Sequence, residues 1–383
     1  MTERIPKVIL LIETSRAFGR GVLYGIAKYS RLHGPWAFYR EPRGLNTQVP
    51  RLKSWNADGI IMRNSVISKQ LFNMKLPTIM VIHDPNRPAH IPAMVTDSQN
   101  ISRLASQHLL DRGFTNFAFC GFTGYHWSDE RGRYFKNFIS NAGHGTYMYD
   151  QPRLRKFKSW HNEQQKMAEW LKNLPKPLGI MASNDDRGQH VLEACKIARL
   201  KVPEEVAVIG VDNDAMICDL CDPPLTSVVL DTERAGFAAA ELLDRLMKGE
   251  QMAGQEILVE PSHVYKRHST DVMAIEDSEL VKALYFIRNN AKYNIHVEDV
   301  VNVTSLSRRG LETRFKNVLS RTIQEEIRGT RVRLIEQMLI ETDKSVSEIM
   351  NNFEFSDVEH IARYFKKEKG VGLRDFRKIH KGS

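Results

Sequence analysis

Cysteine is scarce in this 383-residue chain, occurring only at Cys120, Cys195, Cys218 and Cys221. Cys218 and Cys221 form one C-x-x-C, and no second pair accompanies it, which excludes a four-cysteine zinc site. The pair reads as loop or core cysteines, and reduced thiols in a cytosol fit such sparse usage. Long apolar runs are missing too: no stretch approaches the ~18 consecutive apolar residues of a membrane-spanning helix. The opening "MTERIPKVILLIE" lacks the small-residue cleavage site of a secretory signal and runs straight into a strand pattern, so a soluble cytoplasmic protein is expected. Catalytic signatures are absent as well, with no serine nucleophile elbow, no His-Glu-x-x-His and no P-loop. "GRGVLYG" has the spacing G-x-G-x-x-x-G, and its first glycine comes seven residues after Ile12, too far from the strand end for a dinucleotide turn. Asp185 and Asp212 are the one carboxylate pair that invites a glycosidase reading. No enzyme, no cofactor and no metal are expected.

What is present is a basic chain in two parts. The formal charge is +9, and 42% hydrophobic residues are enough to bury the cores of two or three domains. Residues 363–383 alone hold eight Lys or Arg against Glu368 and Asp375, a net of +6. A basic concentration at one end points to a polyanionic partner, nucleic acid before membrane surface.

From residue 6 to about 270, short apolar runs rich in β-branched residues end at polar or glycine positions. They are "KVILLIE", "ADGIIM", "LPTIMVIHD", "NFAFCGF", "LGIMASND" and "VAVIGVD". Helical-period stretches separate them, at 21–31, 100–112 and 187–199 among others. Strands alternating with helices imply parallel sheets, which place ligands at the carboxyl ends of their strands. Beyond a linker at 271–277 the signal is helical to the end, giving a second domain at 278–383.

That helical part contains a weak repeat. "VEDVVNVTSLSRRGLETRFK" and "VSEIMNNFEFSDVEHIARYFK" each read as a short acidic-capped helix, a turn, a serine cap (Ser307 and Ser356) and a second helix. Leu311 with Phe315, and Ile361 with Phe365, recur at i, i+4 and so face inward. Two helix-turn-helix units follow, joined by the longer amphipathic "TIQEEIRGTRVRLIEQMLIETD", whose expected core residues are Ile327, Leu334, Met338 and Leu339.

At this point "SVSEIMNNFEFSDVEHIARYFKKEKGVGLRDFRK" resembles the AraC-type transcription regulators, over about the last hundred residues. The turn glycine usual in that family is Ser305 in the first unit and Glu354 in the second, and a usual proline is Leu373. The first part resembles the sugar-binding domain of lactose-repressor-type regulators through "VTDSQNISRLASQHLLDRGFTNFAFCGF", "DERGRYFKNF", "ASNDDRGQHVLEACKIARLKVPEEVAVIGVDND" and "PPLTSVVLDTERAGFAAAELLDRLMKGE". The two resemblances together imply an α/β two-lobed, periplasmic-binding-protein-like sensor of parallel sheets flanked by helices over 1–270, followed by an all-α double helix-turn-helix domain. Lobe one is expected at about 6–116 and 225–247, and lobe two at about 117–224 and 248–270.

The implied function is a sugar-responsive DNA-binding regulator, taking xylose or another aldose and acting as a homodimer on operator half-sites. RNA polymerase is a further candidate partner, and no membrane contact is expected. The alternative is a sugar sensor that works through a protein partner, with only loose nucleic-acid binding.

Sugar recognition needs planar polar groups that bind hydroxyls bidentately, together with an aromatic face. The resemblance places Arg131, Asp185 and Asp212 at the ligand, the two aspartates at strand ends. Glu13, Arg16 and Phe18 follow the first strand into the same cleft, and Trp127 is positioned to stack on a ring. Asp97 reads as a helix cap. On the DNA side, the outward positions of the first unit are Arg308, Arg309, Glu312 and Thr313. The family's contact positions in the second map onto Val358, Glu359, Ala362 and Arg363. Arg offers a bidentate fork to guanine, while Lys366, Lys367, Arg374 and Arg377 read as phosphate contacts. Arg308/Glu312 and Glu359/Arg363 are also i, i+4 pairs of opposite charge.

Overall fold

A computed structural model describes residues 4–40, 56–63, 71–81, 88–149, 160–251, 254–272 and 277–381. The chain divides into two compact units, Met1–Ala274 and Ile275–Ser383. The division falls inside the expected linker, of which residues 273–276 lie outside the described residues.

The first unit holds two six-stranded sheets. The first contains β1 (Lys7–Leu11), β2 (Ala37–Arg40), β3 (Gly59–Arg63), β4 (Thr78–Val81), β5 (Ala93–Thr96) and β11 (Glu256–Val259), in the order β11-β5-β4-β3-β1-β2 and parallel throughout. The second contains β6 (Asn116–Cys120), β7 (Thr146–Met148), β8 (Leu178–Ala182), β9 (Val206–Val211), β10 (Thr226–Leu230) and β12 (Pro261–Tyr265). Its order is β12-β10-β9-β8-β6-β7, and only the β10–β12 pair is antiparallel. Every residue of β8 and β9 is buried. Parallel strands covered on both faces take this continuous apolar form.

Seven helices cover these sheets among the described residues: α1 (Ala17–His33), α2 (Ser98–Leu110), α3 (His126–Asn141), α4 (Trp160–Lys172), α5 (Asp185–Ala198), α6 (Ala215–Leu220) and α7 (Thr232–Met247). The glycine spacing of "GRGVLYG" serves packing between α1 and α7. A Cβ on Gly25 would lie 2.0 Å from the Glu233 carbonyl oxygen, and one on Gly236 would lie 2.2 Å from that of Val22. Asp97 caps α2 by accepting from the Asn100 amide at 2.9 Å.

The sheets correct the expected lobe limits. α2 packs on α3, β8, β10 and β12, so it belongs with the second sheet, as does β10, whereas β11 belongs with the first. The chain therefore crosses between lobes near residues 97, 231 and 260. There the Asp97 amide donates to the Val259 carbonyl and the Asp231 amide to that of Glu260.

The second unit is helical: α8 (Ser278–Asn290), α9 (Val297–Asn302), α10 (Arg308–Leu319), α11 (Ile323–Glu341), α12 (Val346–Asn352), α13 (Val358–Lys369) and α14 (Leu373–Lys381). Two helix-turn-helix pairs, α9–α10 and α12–α13, flank α11. Each has its own core, the first around Val300, Leu311 and Phe315 and the second around Ile349, Phe353, Ile361 and Phe365. α11 lends Ile323 and Ile327 to the first and Val332, Ile335 and Leu339 to the second, while Leu334 and Met338 pack half-buried on the second. Capping boxes open α11 (Thr322 with Glu325) and α12 (Ser345 with Glu348). Ser307 caps α10 as expected. For α13 the cap falls one residue later than expected: Asp357 accepts from the His360 amide at 2.6 Å, and Ser356 donates its hydroxyl to Asp357.

Candidate ligand cleft and nucleic-acid face

A cavity of about 210 Å³ lies where the carboxyl ends of both sheets meet. The first lobe lines it with Ile12 and Glu13 beyond β1, Arg16, Phe18 and Gly19 at the start of α1, Arg63 at the end of β3 and Val81 at the end of β4. The second contributes Trp127 and Arg131 from α3, Asn184 and Asp186 at the start of α5, and Asp212 beyond β9. Parallel strands aligned in register bring these ends together, because each side chain leaves its strand where the backbone turns toward a helix.

The cavity thus gathers six of the seven expected ligand residues: Glu13, Arg16, Phe18, Trp127, Arg131 and Asp212. Asp185 is not among the lining residues. It is 2% exposed and turned into the second lobe, where it accepts from the Asp214 amide at 2.7 Å and the Ser227 hydroxyl at 2.5 Å. Its neighbours Asn184 and Asp186 point to the cavity instead. Those two and Arg63 were not foreseen; the strand-end rule that selected Asp185 was a signal for all three.

The charged lining is balanced, with Glu13, Asp186 and Asp212 facing Arg16, Arg63 and Arg131. Each guanidinium has a carboxylate beside it: Arg16–Asp186 at 2.7 Å, Arg63–Glu13 at 2.9 Å and Arg131–Asp212 at 3.9 Å. Arg131 is buried, donates to the Ser183 carbonyl at 2.5 Å and stands over the Trp127 ring, 5.1 Å from its centroid. Its Nε has no hydrogen-bond partner among the described residues.

Burial is the largest influence on Asp212 and pushes its carboxyl up to about 6, against the opposing pull of Arg131. Burial likewise lowers Arg131 and drives Asp185 well above the usual carboxylate range, with Asp212 adding repulsion. The hydrogen bond to Asp186 is the main cause raising Arg16. Asp212 and Asn213 also adopt left-handed φ values of 100° and 50°. Such backbone strain concentrates at functional loops.

In the second unit, Arg308, Arg309, Glu312 and Thr313 are exposed along α10, and Val358, Glu359, Arg363, Lys366 and Lys367 along α13. Their opposite faces bury Leu311, Phe315, Ile361 and Phe365. Arg308 is held by Glu298 at 2.6 Å and Glu312 at 3.0 Å, so the expected pair in the first unit forms. No ion pair joins Glu359 to Arg363 among the described residues. Arg377 departs from its expected phosphate role: half-buried, it donates to the Leu339 and Lys344 carbonyls and secures the end of α11.

Glu354 occupies the turn between α12 and α13 at φ 53°, the left-handed conformation that a turn glycine would supply. Its carboxylate accepts from the Asn294 amide at 3.2 Å. Ser305, at the corresponding turn, has no positive φ, and its amide donates to Glu279 at 2.5 Å.

All four cysteines are free and buried, and burial raises the Cys221 thiol to about 12. Among the described residues no cluster of His, Cys, Asp and Glu is arranged to hold a metal, and no helix is long and apolar enough to cross a membrane.

Residues 106–270 match the model of a periplasmic binding protein-like domain, and 300–379 that of a helix-turn-helix domain. The xylose operon regulatory protein of Haemophilus influenzae is 32% identical over 386 residues, spanning 98% of this chain and 99% of its own. The Escherichia coli K12 protein of the same name is 29% identical, spanning 98% of this chain and 97% of its own. A solved structure described as the xylose-binding transcription activator xylR superposes with a TM-score of 0.86 at 28% identity, covering 99% of this chain and 100% of that one. A transcriptional regulator CelR–cellobiose complex shares the fold of the first unit at a TM-score of 0.56 and 21% identity, covering 70% of this chain and 85% of its own.

Proposed function

The chain belongs to the family of xylose operon regulatory proteins, and from that membership we propose that it is a transcription regulator whose cleft binds a neutral monosaccharide, xylose first. The observation that carries this reading is the lining of the cavity, three carboxylates set against three guanidiniums. A phosphorylated ligand needs surplus cations and an amine needs surplus carboxylates. A polyol needs donors and acceptors in equal supply, already oriented by one another, with apolar surface for its C–H faces. Ile12, Phe18, Val81 and Trp127 provide that surface. Size agrees, since a cavity of about 150 Å³ accommodates benzene, and 210 Å³ leaves room for one hydroxylated six-membered ring.

Glu13, Asp186 and Asp212 accept hydrogen bonds from the hydroxyls in this reading, while Arg16, Arg63 and Arg131 donate. The exposed residues of α10 and α13 enter the DNA grooves of paired half-sites, Arg363 reading a base and Lys366 and Lys367 neutralising phosphates. The active species is a cytoplasmic homodimer, with RNA polymerase as a further contact.

A thermal-shift panel tests the ligand directly, because a bound ligand raises Tm with occupancy. D-Xylose should raise the melting temperature of the full chain, while xylose 5-phosphate and cellobiose should not. A panel of aldoses with no shift at all overturns the reading.

A further inference from the structure

α1 starts without a cap of its own. Arg16 occupies the cap position and makes no side-chain hydrogen bond to the helix. The acceptor comes from the other lobe: Asp214 takes the Ala17 amide at 2.6 Å on Oδ2 and the Arg20 Nη2 at 3.1 Å on Oδ1. Asp214 is itself the cap residue of α6, where an aspartate would ordinarily accept from its own helix. It makes no such bond there. Its carboxylate, 2% exposed, is turned across the cleft to serve α1.

The loop that carries Asp214 is fixed from behind. Asp185 accepts the Asp214 amide at 2.7 Å and is held by Ser227 at 2.5 Å. Gly210 makes room for that carboxylate, since a Cβ on it would come within 2.4 Å of an Asp185 oxygen. Neither Asp214 nor Arg20 lines the cavity. Arg16–Asp186 also bridges the lobes, but both of those residues line it.

We propose that Asp214 is a latch, a positioning residue that holds the two lobes closed over the ligand by capping α1 of the opposite lobe and pairing with Arg20, without touching the ligand itself. The proposal rests on the reading of the cleft as a sugar site. When the lobes part, the α1 amide and Arg20 return to water and the latch contributes nothing. Its effect therefore falls on the ligand's residence time.

The test uses the full chain and D-xylose, comparing Arg20→Ala, Asp214→Asn and the double variant with the parent. Arg20 is more than a third exposed, so its replacement leaves the fold intact. The dissociation constant should rise about tenfold, the scale of one lost charge-assisted hydrogen bond. The rise should come from faster dissociation with association unchanged, and the unliganded melting temperature should stay at the parent's value. The double variant should bind no more weakly than Asp214→Asn alone. Unchanged affinity, additive losses or a fall in unliganded Tm without loss of affinity each overturn the latch. If D-xylose does not bind the parent, the xylose reading fails separately. The aldose that raises the melting temperature then replaces D-xylose in the same comparison and the same outcomes decide the latch, which falls with the sugar reading if no aldose binds the parent.

Discussion

Asp212 combines a strained backbone with a carboxyl raised to about 6, two costs that the fold carries at the edge of the cleft. Its folded-state pKa lies above the unfolded value near 3.9, so its contribution to stability is complete below about pH 4 and is lost as pH rises through 6. Asp212→Asn should therefore stabilise the unliganded protein at pH 7.5, by about 3 kcal/mol at most, with the gain vanishing by pH 4. The same variant should lose sugar binding, because the charged acceptor is gone. In the parent, affinity should fall as pH drops below 6, since hydroxyl protons need the ionised form. Calorimetry from pH 4 to 8 checks both directions. Glu354 is the second strained residue, and a left-handed non-glycine residue costs about 1–2 kcal/mol. In urea unfolding, Glu354→Gly should exceed Glu354→Ala in stability by about 1 kcal/mol, because both lose the Asn294 hydrogen bond and only glycine relieves the strain.

At the scale of elements, the close crossing of α1 and α7 leaves no space for a methyl group. Gly25→Ala should force the helices apart and destabilise the first unit by about 1–3 kcal/mol, measured as a lower denaturation midpoint. On α13, Arg363→Ala should cost about 1–3 kcal/mol at one base position and relax specificity there in a binding assay over operator variants. Uniform loss across sequences would mean a phosphate contact instead. The strands readable from sequence were β1, β3, β4, β6, β8 and β9, whose apolar runs are continuous because both faces are covered. β2, β7 and β12 lie at sheet edges with exposed side chains, and "AFYR", "TYM" and "PSHVY" carry too little pattern to stand out. The cleft was legible to the same depth. Sequence located the strand end at "ASND", but which of its polar residues turns inward depends on the first turn of α5 and on the space that Gly210 leaves. The cap at Asp357 was missed for a similar reason, two adjacent cap-forming residues being equivalent until the turn is built.

For the whole molecule, sugar and DNA must be thermodynamically reciprocal. If sugar occupancy favours the DNA-competent state, operator DNA must tighten sugar binding by the same factor. Sugar affinity measured with and without operator should differ by about 5–150-fold, and equal values would remove the allosteric link. The three crossings near residues 97, 231 and 260 have a further consequence, for synthesis. A chain growing from its N-terminus has produced β1 to β5 by Thr96, yet the strand that covers the open edge of β5 begins only at Glu256. Until then that edge is exposed, and an uncovered parallel strand is a template for pairing with other chains. Neither sheet is complete before residues 256–265 have been made, because β11 and β12 close the two sheets almost together. The second unit, whose helices all lie within 278–381, closes its two cores over shorter loops.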